Sequence, residues 1–205
     1  MITFALPKGR LGEECAALLA RAGVDVSALK EDTRRLVLES ADKQYGFFLV
    51  KPADVPVYVE QGVADLGVAG KDTLLEEDRQ LYELLDLKIG ACSLCIAGYE
   101  RGLNARPLVR VATKYVKTAK RVFAERGEEA EIIPLHGSIE LAPVTGLSDV
   151  IFDVVQTGST LRANGLAVLE EVFPVSARLV ANKVSLKLKS QEILPLVGRL
   201  REALS

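Results

Sequence analysis

Asp153-Val154-Val155-Gln156-Thr157-Gly158-Ser159-Thr160-Leu161-Arg162-Ala163-Asn164-Gly165-Leu166 follows the apolar run Val150-Ile151-Phe152. The run reads as a buried strand, and the segment after the loop reads as a helix. An acid therefore stands at the carboxyl end of a strand, and a loop of Thr, Gly, Ser and Thr comes next. Small residues let backbone N–H groups approach a phosphate, and the hydroxyls add donors. An acid a few residues upstream can hold sugar hydroxyls, so the combination suits a ribose 5-phosphate. Strand, loop and helix in that order is also the repeating unit of an α/β fold.

The order recurs on both sides. Residues 2–6 read as a strand, broken by Pro7-Lys8-Gly9-Arg10. Leu11, Cys15, Leu18, Leu19 and Ala22 then recur at helical spacing up to Gly23. This opening can present N–H groups to an anion flanked by Lys8 and Arg10, or form a solvated turn. Runs 35–39 and 46–50 read as strands. Asp54 is placed to cap a helix with Val55, Val59 and Val63 on one face. A glycine-containing strand at 65–70 follows, with Asp72 capping a short helix. Further strands are expected at 88–97, 108–112 and 131–134, with a helix through Val116, Ala119, Lys120 and Phe123 up to Gly127. Ser138 is expected as an N-cap, leaving Glu140 in the first turn. The helix after the 157–161 loop is expected to run through Leu169 and to break at Phe173-Pro174-Val175. A strand at 177–181 and an amphipathic terminal helix, with Pro195 in its first turn, complete the chain. The pattern predicts two α/β lobes with largely parallel sheets, one formed by residues 1–87 plus 174–205 and the other by 88–173.

At 205 residues the chain can bury a substantial core, and 49% apolar with 26% charged residues describes a globular protein. The net charge of −2 comes without a basic stripe, so no nucleic-acid partner is expected. The first residues lack a signal peptide's pattern and no apolar run is long enough for a bilayer, which predicts a cytoplasmic protein without a membrane partner. Cys92 and Cys95 lie three apart on a predicted strand and so face opposite sides, which argues against one metal between them. His136 is the lone histidine and reads as structural.

The opening stretch resembles the phosphoribosyl-diphosphate loop of ATP phosphoribosyltransferases. Leu6-Pro7-Lys8-Gly9-Arg10-Leu11 is similar to that family's opening motif. Asp54-Val55-Pro56-Val57-Tyr58-Val59-Glu60-Gln61-Gly62 with 64–72 is similar to its central one, and Gly137-Ser138-Ile139-Glu140-Leu141-Ala142-Pro143 with 146–149 to the segment before the loop. The motifs cover most of the chain in the family's order. Three positions depart from it: Lys51 stands where an arginine is expected, Gln156 where an acid is common, and His136 where a small polar residue is usual.

The resemblance implies a two-lobed fold like that of type II periplasmic binding proteins, with the active site in the interlobe cleft. It implies condensation of ATP with phosphoribosyl diphosphate, with substrate-bound Mg2+, as the first step of histidine biosynthesis. Members of this length work with a histidyl-tRNA-synthetase-like regulatory subunit. Carried over by motif, Thr157, Gly158, Ser159, Thr160 and Leu161 would hold the 5-phosphate, and Asp153 with Glu140 the ribose hydroxyls. Lys8, Arg10 and Lys51 would meet pyrophosphate or ATP phosphates, while Gly9, Leu11 and Gly70 would line the ATP site. Arg34 or Arg35 would reach a neighbouring subunit's site. Two rivals stand beside this reading. A non-catalytic solute-binding module shares the expected fold, and a salvage nucleobase phosphoribosyltransferase carries paired acids before its loop, whereas Val154 follows Asp153 here.

Overall fold

A computed structural model describes residues 1–30, 34–100 and 108–204. The chain folds as β1 (Ile2–Pro7), α1 (Arg10–Arg21), β2 (Leu38–Glu39), β3 (Tyr45–Val50), α2 (Val55–Glu60), β4 (Leu66–Gly70), α3 (Lys71–Glu77) and β5 (Tyr82–Asp86). It continues as β6 (Cys92–Gly98), β7 (Val109–Thr113), α4 (Val116–Glu125), β8 (Ala130–Pro134), α5 (Leu141–Val144), β9 (Val150–Val155), α6 (Ser159–Ala163) and β10 (Ala167–Val175). It ends with β11 (Ala177–Ala181), α7 (Lys183–Leu188) and α8 (Ser190–Ala203). Two compact units result, one of residues 1–90 plus 176–205 and one of 91–175. The crossings fall slightly later than 87/88 and 173/174. Leu87 N–H donates to Ala177 O and Ala177 N–H donates to Ile89 O, which keeps that ribbon in the first unit.

The first unit's sheet has the order β2-β3-β1-β4-β11-β5. β3, β1 and β4 are parallel, while β2, β11 and β5 pair antiparallel. Phe4, Leu6, Phe47 and Leu179 point to one face, under α1 and α8, where Cys15, Leu18, Leu19, Ile193 and Leu196 cover them. Each such fully buried large side chain contributes about 2–3 kcal/mol. Ala5, Ala69 and Val180 point to the other face, under Val55 and Val59 of α2. Small residues are needed there, since a Cβ at Gly67 would come within 2.6 Å of Val59.

The second unit repeats the arrangement without repeating the sequence. Its order is β10-β6-β9-β7-β8, with β9, β7 and β8 parallel and β6 and β10 antiparallel. In each unit a central strand (β1 or β7) is flanked by two parallel ones. An antiparallel strand arriving from a crossing comes next, and then the strand that leaves for the other crossing. The sheets are therefore mixed rather than largely parallel, because the two ribbons that carry the chain across run against the βαβ units. α4 covers one face through Ala119, Val122 and Phe123. Ile139, Ala142 and Leu161 cover the other.

Several local expectations are corrected. The strand at 35–39 pairs only through Leu38 and Glu39, at the sheet edge. Gly62, at φ 73, turns the chain after α2, so Val63 leaves the helical face and is exposed. Asp54 makes no side-chain cap because α2 follows directly from a 3-10 turn at Pro52–Asp54. Asp72 lies inside the first turn of α3, after Gly70 at the N-cap. Ser138 is left-handed, at φ 48, and its carbonyl rather than its hydroxyl accepts from Leu141 N–H, which puts Glu140 at the N-cap of α5.

The helix after the loop stops at Ala163. Gly165, at φ 69, reverses the chain, Leu166 N–H bonds Leu161 O, and residues 167–175 form strand β10. Pro174 fits there because β10 is an edge strand, whose outer side asks for no N–H. α7 was not expected; it starts where Asn182 accepts from the Val184 and Ser185 N–H groups. α8 starts at Ser190, so Pro195 sits in its second turn rather than its first.

Candidate active site

In open α/β sheets the ligand side lies beyond the carboxyl ends of the parallel strands, where the order reverses about the first strand. In the second unit that edge is formed by the ends of β7, β8 and β9. Asp153 lies on β9, its side chain only 15% exposed. Its Oδ1 accepts from Val154 N–H at 2.8 Å and lies 3.7 Å from the Nζ of Lys114. Burial pushes the Asp153 carboxyl above the usual range; Lys114 and the Val154 N–H oppose this, and the charge of Glu140 adds to it.

The loop then bends. Gly158 is left-handed, at φ 66, and its carbonyl accepts the first helical bond of α6, from Arg162 N–H. The Thr157 hydroxyl donates to Ser159 Oγ at 3.1 Å, while Ser159 N–H bonds Thr157 Oγ1 at 3.4 Å. The Thr160 and Leu161 amides open α6 and have no intrahelical acceptor. Glu140, Asp153 and residues 156–161 together wall a cavity of about 160 Å³. Every residue predicted for the sugar phosphate thus lines one concave site, which brings hydroxyls and amides together with two carboxylates.

In the first unit the register of β1 with β3 ends at Pro7 opposite Val50. Lys8 and Lys51 therefore leave neighbouring strand ends side by side, and both are exposed. Lys8 N–H is tied to Val50 O at 2.8 Å. Gly9 takes φ 83 and ψ −160 between strand and helix. Arg10 Nε lies 3.4 Å from Glu14 Oε1 on an exposed face. The Leu11 side chain packs into the core, leaving its backbone at the turn. Gly70 ends β4, parallel to β1 on its other side, and the Asp72 carboxylate folds back over it.

Two residues at these edges were missed. Gly12 has no room for a side chain, because a Cβ there would lie 2.0 Å from Pro7 O. Lys114 is the first residue after β7, as Lys8 is the first after β1. A lysine directly behind an apolar strand was the signal available for it. Among the described residues no group of three or more His, Cys, Asp and Glu side chains could hold a metal ion. Cys92 and Cys95 are not in disulfides, and burial pushes the Cys95 thiol up to about 11. Among the described residues no helix is long and apolar enough to cross a membrane.

Comparison with known proteins gives this geometry its context. The family model described as ATP phosphoribosyltransferase matches residues 51–202. An ATP phosphoribosyltransferase of Caldanaerobacter subterraneus subsp. tengcongensis is 50% identical over 206 residues, covering 100% of this chain and 98% of the relative. The ATP phosphoribosyltransferase (HisG:HisZ) complex from Thermotoga maritima contains a chain that superposes with a TM-score of 0.85 at 35% identity, covering 100% of this chain and 98% of that one. The periplasmic aliphatic sulphonate binding protein SsuA from Escherichia coli matches at a TM-score of 0.61 and 13% identity, covering 99% of this chain and 72% of that one. This last likeness is one of fold alone and marks a type II periplasmic-binding-protein-like α/β architecture. The strand-end loop, its acids and the full-length match agree: the chain belongs to the ATP phosphoribosyltransferase family, whose members catalyse the first step of histidine biosynthesis.

Proposed function

We propose that the chain transfers the phosphoribosyl group of phosphoribosyl diphosphate to N1 of ATP through the following residues. The 5-phosphate rests on Thr157, Gly158, Ser159, Thr160 and Leu161, where the α6 amides and three hydroxyl side chains line the cavity. Asp153 and Glu140 hold the ribose hydroxyls. The cavity that joins those carboxylates to that loop is the observation that carries the reading. Lys8, Arg10 and Lys51 meet the anionic diphosphate or the ATP phosphates, with Gly9, Leu11 and Gly70 giving the nucleotide close access to backbone. Arg34 or Arg35 contributes to a neighbouring subunit's site.

Adenine N1 supplies a lone pair to the anomeric carbon as the bond from that carbon to the diphosphate oxygen breaks. Pyrophosphate leaves with the electron pair. No strong general base is required, because N1 carries no proton to lose. Placement and electrostatics supply the rate: cations meet the growing charge on pyrophosphate, and carboxylates meet the oxocarbenium character of the sugar. Magnesium arrives bound to the substrates' phosphates. A histidyl-tRNA-synthetase-like regulatory subunit is the proposed partner, a reading supported by the HisG:HisZ complex of the Thermotoga maritima relative. The substrates carry a cytoplasmic location with them.

The test is pyrophosphate release from phosphoribosyl diphosphate, with ATP or free nucleobases as acceptor, with and without the regulatory subunit. Release with ATP alone is expected. Release with a free base but not with ATP would replace this reading with a salvage transferase. Ligand binding without release under any condition would replace it with a sensor.

A further inference from the structure

We propose that Lys114 is a positioning residue for the sugar: its ammonium group, fixed at the end of β7, neutralises the Asp153–Glu140 carboxylate pair and holds the Asp153 carboxyl in the orientation the ribose hydroxyls need. The inference rests on the sugar-phosphate reading above and assigns that site a cation that none of its loop residues provides.

Sheet register places the group. Val111 pairs with Val150 and Ala112 with Ile151 in the parallel β7–β9 ladder. Continuing by two residues sets Lys114 beside Asp153, one strand spacing away and on the same face. The backbone on both sides of Lys114 is clamped by buried Thr113. Its hydroxyl donates to Phe152 O at 2.5 Å, and its Oγ1 accepts from Tyr115 N–H at 2.8 Å. A lysine anchored this way has little freedom at Cα. Its Nζ then reaches 3.7 Å from Asp153 Oδ1 and 4.9 Å from the centre of the Tyr115 ring. Tyr115 is itself buried, so the ring is a fixed platform.

Charge requires such a partner. Two carboxylates facing one small cavity repel, and one tends to keep its proton. Asp153 is pressed that way by burial and by Glu140, with Lys114 pulling against both. From β6 the residue opposite Asp153 in register is Cys95, whose buried thiol, pushed up to about 11, carries no charge in the working range. Lys114 is thus the cation set against Glu140 at this carboxyl. At 42% side-chain exposure it is also open to solvent, where it can turn toward an arriving anionic sugar.

Lys114→Met and Lys114→Arg are compared with the wild type by two readouts. The first is the carboxyl titration of Asp153 in the free protein, followed by 13C NMR on aspartate-labelled chain and assigned with Asp153→Asn. In Lys114→Met the Asp153 titration is expected to move to higher pH, and in Lys114→Arg to stay near wild type. The second is kcat/KM for phosphoribosyl diphosphate against pH. Lys114→Met should lose about tenfold near pH 6, with the deficit shrinking as pH rises, and Lys114→Arg should recover most of it. An unmoved Asp153 titration, or a loss in Lys114→Met that is the same at every pH, overturns the inference. If the wild-type chain releases no pyrophosphate with or without the regulatory subunit, the transferase reading fails, and the titration still decides whether Lys114 governs Asp153.

Discussion

The Nζ of Lys189 lies 2.7 Å from Oδ2 of Asp65, a carboxylate whose side chain is only 8% exposed. The same oxygen accepts from Thr3 N–H at 2.9 Å, and Lys189 also donates to Met1 O at 3.0 Å. One buried acid therefore joins β1, the entry to β4 and the α7–α8 junction. Burial alone would raise the Asp65 carboxyl, but Lys189, Ser185 and the Thr3 amide outweigh it and the net direction is downward. The folded form thus binds this proton more weakly than the unfolded chain. The contribution to stability is complete above the unfolded carboxylate range and fades as pH falls through the folded value. Lys189→Met should cost about 2 kcal/mol in urea unfolding at pH 7, with a smaller difference in acid.

Gly12→Ala should be among the most damaging single-methyl changes in the chain. Its Cβ would meet Pro7 O at 2.0 Å and Pro7 C at 3.2 Å, both of them backbone atoms. Helix α1 would have to lift from the end of β1, at a cost of about 3 kcal/mol. Thermal unfolding measures the loss, and the KM for ATP should rise with it because Lys8 and Gly9 lie in the displaced turn.

Asp153→Ala and Thr157→Ala should each cut turnover with folding preserved. Loss of a hydrogen bond to a charged partner predicts about a 30-fold fall in kcat/KM for Asp153→Ala, and a lost hydroxyl about tenfold for Thr157→Ala. Steady-state kinetics beside circular dichroism separates this from misfolding. Wild-type rates in both variants would remove these residues from the site. Because burial raises the Asp153 carboxyl, the acidic limb of the wild-type profile should lie above the ordinary aspartate range and vanish in Asp153→Asn.

Gly158 holds φ 66, a left-handed conformation that costs an alanine about 1 kcal/mol. Gly158→Ala should lower stability by that amount and weaken phosphoribosyl diphosphate binding, since the loop amides turn with it. Gly158→Asn should bind better than Gly158→Ala, because asparagine visits this region more readily. Isothermal titration with phosphoribosyl diphosphate tests the order.

Much of the site was readable along the chain because its residues are local. Asp153 and Thr157 to Leu161 lie within nine positions, and a strand followed by a hydroxyl-glycine loop has meaning without knowledge of its neighbours. The helix expected through Leu169 failed for the opposite reason. Ala167-Val168-Leu169 carries no strand signal of its own; its partner is β6, more than sixty residues earlier, and the pairing with Gly98 and Ala97 overrides local preference. Pro174 was read as a break, although an edge strand tolerates it.

The sequence by itself determined which residues form the phosphate loop, which acids precede it and which family the chain resembles, because each of these is written in contiguous spacing. Only the tertiary structure decided that the sheets are mixed, that two units of unrelated sequence share one strand order, and that Lys114 stands beside Asp153. Those facts depend on which strands lie next to each other and in what register. Hydrogen bonds between distant segments set that, and spacing along one strand carries no record of it.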